Sequence, residues 1–108
     1  MSTFDNLWTE LVSAIGGLAT GALKNYKDQV LKDGQAFTDK LKTDLQTWSK
    51  QLVNGDIDKD QFEFLVKGKK DIAELLALKQ AGLAKVALDQ FLDDLVNVIV
   101  STISKVIL

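Results

Sequence analysis

Asn54-Gly55-Asp56-Ile57-Asp58-Lys59-Asp60-Gln61-Phe62 divides the chain near its middle. Gly55 has no Cβ, so it can take the left-handed conformation that ends a helix. Asp58 stands three residues before Gln61, the spacing of an N-cap and its capping-box partner. The carboxylate accepts the backbone N–H of residue 61, and the Gln61 side chain reaches back to the N–H of residue 58. One helix therefore ends in this stretch and another begins.

Working outward, proline is absent from all 108 residues, which removes the strongest helix breaker. Before the corner, apolar side chains recur every 11 residues. Phe4, Ile15, Tyr26, Phe37 and Trp48 form one register, and Trp8, Ala19, Val30, Leu41 and Leu52 follow four residues behind. Eleven residues make three turns at about 3.67 residues per turn, so both registers lie on one face of a straight or slightly right-handed supercoiled helix. Asn6, Gly17, Asp28, Asp39 and Lys50 fall on the opposite face, with Ser13, Lys24, Gln35 and Gln46. After the corner, Phe62, Leu65 and Val66 open the same repeat. It continues as Ala73, Leu76, Ala77, then Ala84, Ala87, Leu88, then Leu95, Val98, Ile99, and ends at Val106. The period of two that a strand needs is missing.

The pattern predicts an all-α fold: a long antiparallel hairpin with helices over about 3–53 and 58–107, spanning 1–108 as a single helical domain. Ser2 or Thr3 caps the first helix, with Asp5 favourably placed in its first turn. Helices of this length would reach about 75 Å at 1.5 Å per residue. The alternative is a compact three- or four-helix bundle with breaks near Gly16-Gly17 and Gly34. Each glycine, Gly21 included, costs up to about 1 kcal/mol inside a helix.

Charge is uneven along the chain. Residues 1 to 23 hold two charged side chains and 86 to 108 hold four, whereas 24 to 54 hold ten and 55 to 85 hold twelve. A hairpin brings both apolar ends together, and the apolar surface there exceeds one stripe. Leu7, Leu11 and Leu18 flank Phe4 and Trp8, and Val96, Val100, Ile103 and Ile107 widen the other helix. Phe64, Leu75 and Val86 even repeat at period 11 on the expected solvent face. Uncovered apolar area of this extent marks an interface. The candidate interface is Phe4, Trp8, Leu11, Ile15, Leu18, Phe64, Leu75, Val86, Phe91, Leu95, Ile99 and Ile103, and the expected assembly is a homo-oligomer, dimer or tetramer, with a bundle core.

The chemistry of catalysis is thinly represented. Histidine and cysteine are both absent, which removes Ser/His/Asp and Cys/His nucleophiles, the common zinc ligand sets and any disulfide. No cofactor is expected. The net charge is −2 and every basic residue is lysine, so no basic face or guanidinium fork is available for nucleic acid. Around Gly55 the acids are similar to the latter half of an EF-hand calcium loop. That alignment, however, places Lys50, Leu52 and Gln61 at ligand positions that need oxygen donors or a bidentate carboxylate, so no metal is expected. Asp93 and Asp94 are sequence neighbours pointing about 100° apart on a helix, which suits no carboxylate dyad. Lys67, Lys69 and Lys70 sit among Glu63, Asp71 and Glu74 as a solvated face, and Trp8, Tyr26 and Trp48 belong to the apolar stripe.

Asp5 and Glu10 interrupt the N-terminal apolar stretch, unlike a signal peptide. The uncharged run from Leu11 to Leu23 is shorter than the roughly 20 residues that span a bilayer. The expected location is cytoplasmic, with signal-independent secretion left open. Function divides between a non-enzymatic interaction protein, which assembles with itself or a partner protein, and a membrane-surface protein, including membrane-inserting behaviour. The 11-residue amphipathic period resembles that of lipid-binding apolipoproteins and desiccation-protective helical proteins, in periodicity alone. Against lipid, Phe4 to Leu23 and Val86 to Leu108 share one lysine, Lys105, where lipid-surface helices line their polar face with cations. Small secreted hairpins of the WXG type share the length and architecture, but their Trp-x-Gly turn is missing.

Overall fold

At the central corner Gly55 has φ 79°. Its N–H donates to the Leu52 carbonyl at 3.2 Å and the Asp56 N–H to the Gln51 carbonyl at 2.8 Å, the paired bonds of a Schellman ending. Gln61 N–H donates to Asp58 Oδ1 at 2.8 Å and Asp58 N–H to Gln61 Oε1 at 2.9 Å. The capping box is complete.

The computed structural model describes residues 3–18, 21, 24–71 and 75–107. Within them every regular element is helical: α1 (Thr3–Leu18), a 3-10 turn (Lys24–Tyr26), α2 (Lys27–Lys40), α3 (Lys42–Asn54), α4 (Lys59–Lys67), α5 (Leu76–Gln80) and α6 (Lys85–Ile107). Ser2, Ala19, Ala73 and Glu74, which carried parts of the sequence reading, lie outside the described residues.

The two long helices expected from the periodicity do not form. The molecule measures 43 × 26 × 20 Å with a radius of gyration of 13.8 Å, against the rod of about 75 Å that a hairpin requires. It is a compact helical bundle, nearer the alternative. One break falls near Gly16-Gly17, since α1 ends at Leu18, the residue after the pair, whereas Gly34 lies inside α2. The jog comes at Leu41, whose φ of −89° and ψ of 0° lie at the edge of the helical region. Its N–H is shared between the Phe37 and Thr38 carbonyls. In the second half α4 runs out through Gly68 into a turn. Gly82, at φ 91°, then closes α5 with a second Schellman pair: Gly82 N–H to Lys79 O at 3.0 Å and Leu83 N–H to Leu78 O at 3.3 Å.

Folding back is how the chain covers its surplus apolar surface. α6 packs against α1, α4 and α3, and α2 packs against α1 and α5. The α1–α6 pair is the most extensive, so the two apolar ends of the chain do meet. Leu7, Leu11 and Ile15 from α1 join Leu92, Leu95, Ile99 and Ile103 from α6 in one core. Val30, Phe37 and Leu41, Leu45 and Leu52, Phe62 and Val66, Leu75 and Leu78, and Leu88, Phe91, Val96 and Val100 complete it. Phe62 is fully buried, worth roughly 1.5–3 kcal/mol, and meets Trp48 edge-on at 6.3 Å. Trp8 packs on Phe4 at 6.0 Å and receives the Lys42 ammonium 4.8 Å above its ring, tying α1 to α3.

Asp33 on α2 is buried, yet it is not an unpaired charge. Oδ1 accepts from the Ala77 N–H at 3.1 Å and Oδ2 from the Leu78 N–H at 2.8 Å. These are orphan donors of the first turn of α5, a five-residue helix too short to stand alone. Beside Asp33, a Cβ on Gly34 would lie 3.0 Å from Ile15 Cγ2. Glycine there lets α2 approach α1 closely.

Candidate interaction surface

The interface predicted from sequence divides three ways in the structure. Leu11, Ile15, Leu75, Phe91, Leu95, Ile99 and Ile103 are buried, Phe4, Trp8 and Leu18 are half-buried against the core, and Phe64 and Val86 face solvent. The apolar terminal end is therefore covered largely by the chain itself. The period-11 trio separates for the same reason: no single helix runs from Phe64 to Val86, so Leu75, at the start of α5, turns inward while its neighbours in register stay outside.

Phe64 is 76% exposed and Val86 81%. Val53, not singled out from sequence, is also well exposed, and so is Leu76, which the 11-residue repeat places on the buried stripe; Val12 and Val106 are less so. The repeat misplaces Leu76 because α4 ends at Lys67 and the short α5 begins afresh at Leu76, so the register of α4 is not carried into it.

Four of these flank two turns of the chain, Val53 and Phe64 the turn between α3 and α4 and Leu76 and Val86 the turn between α5 and α6, while Val12 lies on α1 and Val106 near the end of α6. Where α3 turns into α4, an open groove of about 440 Å³ is lined by Ile57, Asp58, Asp60, Gln61, Phe64 and Leu65. Where α5 turns into α6, Leu76 and Val86 stand on either side of the Gly82 turn, with Lys79 one helical turn after Leu76 and Lys85 adjacent to Val86. Both lysines are exposed. A third, more polar cleft of about 380 Å³ between α1 and α6 is lined by Glu10, Ser13, Ala14, Thr102 and Lys105. Its hydroxyls have no imidazole or thiolate beside them, because the chain contains none.

Several of the remaining charges are paired at the surface. Lys67 pairs with Glu63 at 3.2 Å, Lys69 with Asp44 at 3.6 Å, and Lys70 with Asp93. Asp94 accepts from Gln90 Nε2 at 3.0 Å, so Asp93 and Asp94 address different partners. At the central corner Asp58 is occupied by its cap. Among the described residues no three Asp or Glu side chains converge as a metal cage, and no helix is long and apolar enough to cross a membrane. Compared with protein-family models, curated proteins and solved structures, the chain matches none.

Proposed function

We propose that this chain is a non-enzymatic interaction protein, a small helical bundle that self-associates into a homo-oligomer through apolar side chains left on its surface. The observation that supports it best is Phe64. A phenylalanine with three quarters of its surface in water, in an open groove with Ile57 and Leu65, costs apolar hydration that a second protein surface removes. The surface proposed here differs from the one expected from sequence. Leu11, Leu95, Ile99 and Ile103 serve the core of the single chain, and the assembling surface lies at the helix corners. The non-enzymatic reading rests on composition: without histidine or cysteine, and with Asp33, the one buried carboxylate among the described residues, spent on capping α5, the bundle presents no poised base or nucleophile.

Size-exclusion chromatography with light scattering at tens of micromolar tests the proposal. A mass at or above that of a dimer supports it, and a clean monomer of 11.9 kDa rejects it.

A further inference from the structure

We propose that copies of this chain join head to tail, the acidic apolar corner between α3 and α4 of one copy receiving the basic apolar corner between α5 and α6 of the next. The proposal rests on the self-association just described and names its two surfaces. On the first corner, Phe64, Ile57 and Leu65 line the groove with Asp58 and Asp60, and exposed Asp56 stands close by in the chain. Lys59 is the one cation among residues 54 to 61. On the second corner, Leu76 and Val86 are exposed beside Lys79 and Lys85, and residues 75 to 88 contain no carboxylate.

The lysines of this second corner differ from those following α4. Lys67, Lys69 and Lys70 each hold a carboxylate of their own chain, whereas Lys79 and Lys85 form no ion pair among the described residues. Spare positive charge beside exposed apolar side chains thus sits at one corner, and at the other the exposed carboxylates of Asp56 and Asp60 stand beside Asp58, which caps α4.

Apolar burial supplies affinity, and charge chooses the pairing. Setting two acidic corners face to face would crowd carboxylates, and two basic corners would crowd ammonium groups. Only the mixed joint satisfies both. Such a joint is heterologous: it closes into a dimer if two joints form at once, and otherwise grows into a ring or chain.

Mixing of two corner-defective chains tests this with the full-length protein. Phe64→Asp disables the acidic corner and Val86→Asp the basic one. Both positions are exposed, and circular dichroism checks that each variant keeps its helices. Each variant alone is expected at monomer mass, while an equimolar mixture recovers a 1:1 dimer through the one intact joint. Lys79→Glu with Lys85→Glu, which leaves every apolar side chain in place, also dissociates, and added salt weakens wild-type association. A mixture that stays monomeric, or a Val86→Asp chain that assembles like wild type, overturns the joint while leaving self-association standing. A wild-type chain that remains monomeric, or that instead floats with anionic vesicles as a monomer, overturns both.

Discussion

Leu78 lies in the first turn of a five-residue helix whose amino end is held by Asp33, far away in the chain: the Leu78 N–H donates to Asp33 Oδ2 at 2.8 Å. The adjacent Ala77 N–H meets Oδ1, so a single carboxylate satisfies two donors and fixes α5 against α2. Without this bond neither the sequence nor the length of α5 would hold its place.

Replacing Asp33 should therefore loosen α5 more than a surface charge change would. Asp33→Ala leaves both donors without an acceptor and is expected to cost about 2–4 kcal/mol. Asp33→Asn keeps one acceptor and turns an NH₂ toward the other donor, costing about 1–2 kcal/mol. Urea unfolding should show the midpoint falling in that order. Equal midpoints for wild type and Asp33→Ala would remove the carboxylate from the account of stability.

Gly34→Ala sets helix propensity against packing. Alanine gains about 1 kcal/mol in a helix, but its Cβ would sit 3.0 Å from Ile15 Cγ2, and Ile15 is fully buried. Overpacking of this kind costs about 1–3 kcal/mol, so net destabilisation is expected. Ile15→Leu removes the opposing Cγ2, and a double-mutant cycle should show part of the loss recovered. Strict additivity would place the clash elsewhere.

Gly82 and Gly17 should respond oppositely to alanine. Gly82 is at φ 91° with open space around it, so Gly82→Ala costs about 1–2 kcal/mol through backbone strain alone. Gly17 is helical, with nothing within 4 Å of an added Cβ. Gly17→Ala is expected to stabilise by up to about 1 kcal/mol. Thermal denaturation of the two variants in parallel checks the sign of each.

Ser49 and Ser104 are buried, and their hydroxyl oxygens have no hydrogen-bond partner among the described residues. A hydroxyl taken from water without compensation is a net cost. Ser49→Ala and Ser104→Ala should each raise stability by about 1 kcal/mol, or Tm by about 4 °C. A fall in Tm for either would mean that its hydroxyl is satisfied in solution.

What the sequence revealed and what it concealed differ in range. Gly55, Asp58 and Gln61 were readable because a left-handed glycine and a capping box are local arrangements, complete within eight residues. The 11-residue stripe was equally real: Ile15, Val30, Phe37, Leu41 and Leu52 are all buried. Periodicity reports which face is apolar, however, and not whether the helix bearing it is continuous. At Leu41 the chain jogs and resumes with its apolar face still inward, so the repeat passes through the break unmarked. Gly82, whose left-handed φ ends α5, was inconspicuous in the sequence because Ala77 and Ala84 on either side of it fit the repeat. Asp33 carried no local sign at all, because its partners come from the other half of the chain. The candidate interface suffered from the same cause. Ile99 and Ile103 look surplus to a two-helix hairpin and are ordinary core once α1, α3 and α4 fold onto α6. Phe64 and Val86 remained outside, as their place off the main stripe indicated.

Self-association is the claim on which the functional reading turns, and sedimentation of the unmodified chain across concentration measures it directly. From about 1 to about 100 µM, the range of weak reversible interfaces, the weight-average mass is expected to climb from 11.9 kDa toward the dimer value or beyond it. A mass that stays at the monomer value throughout would contradict the account.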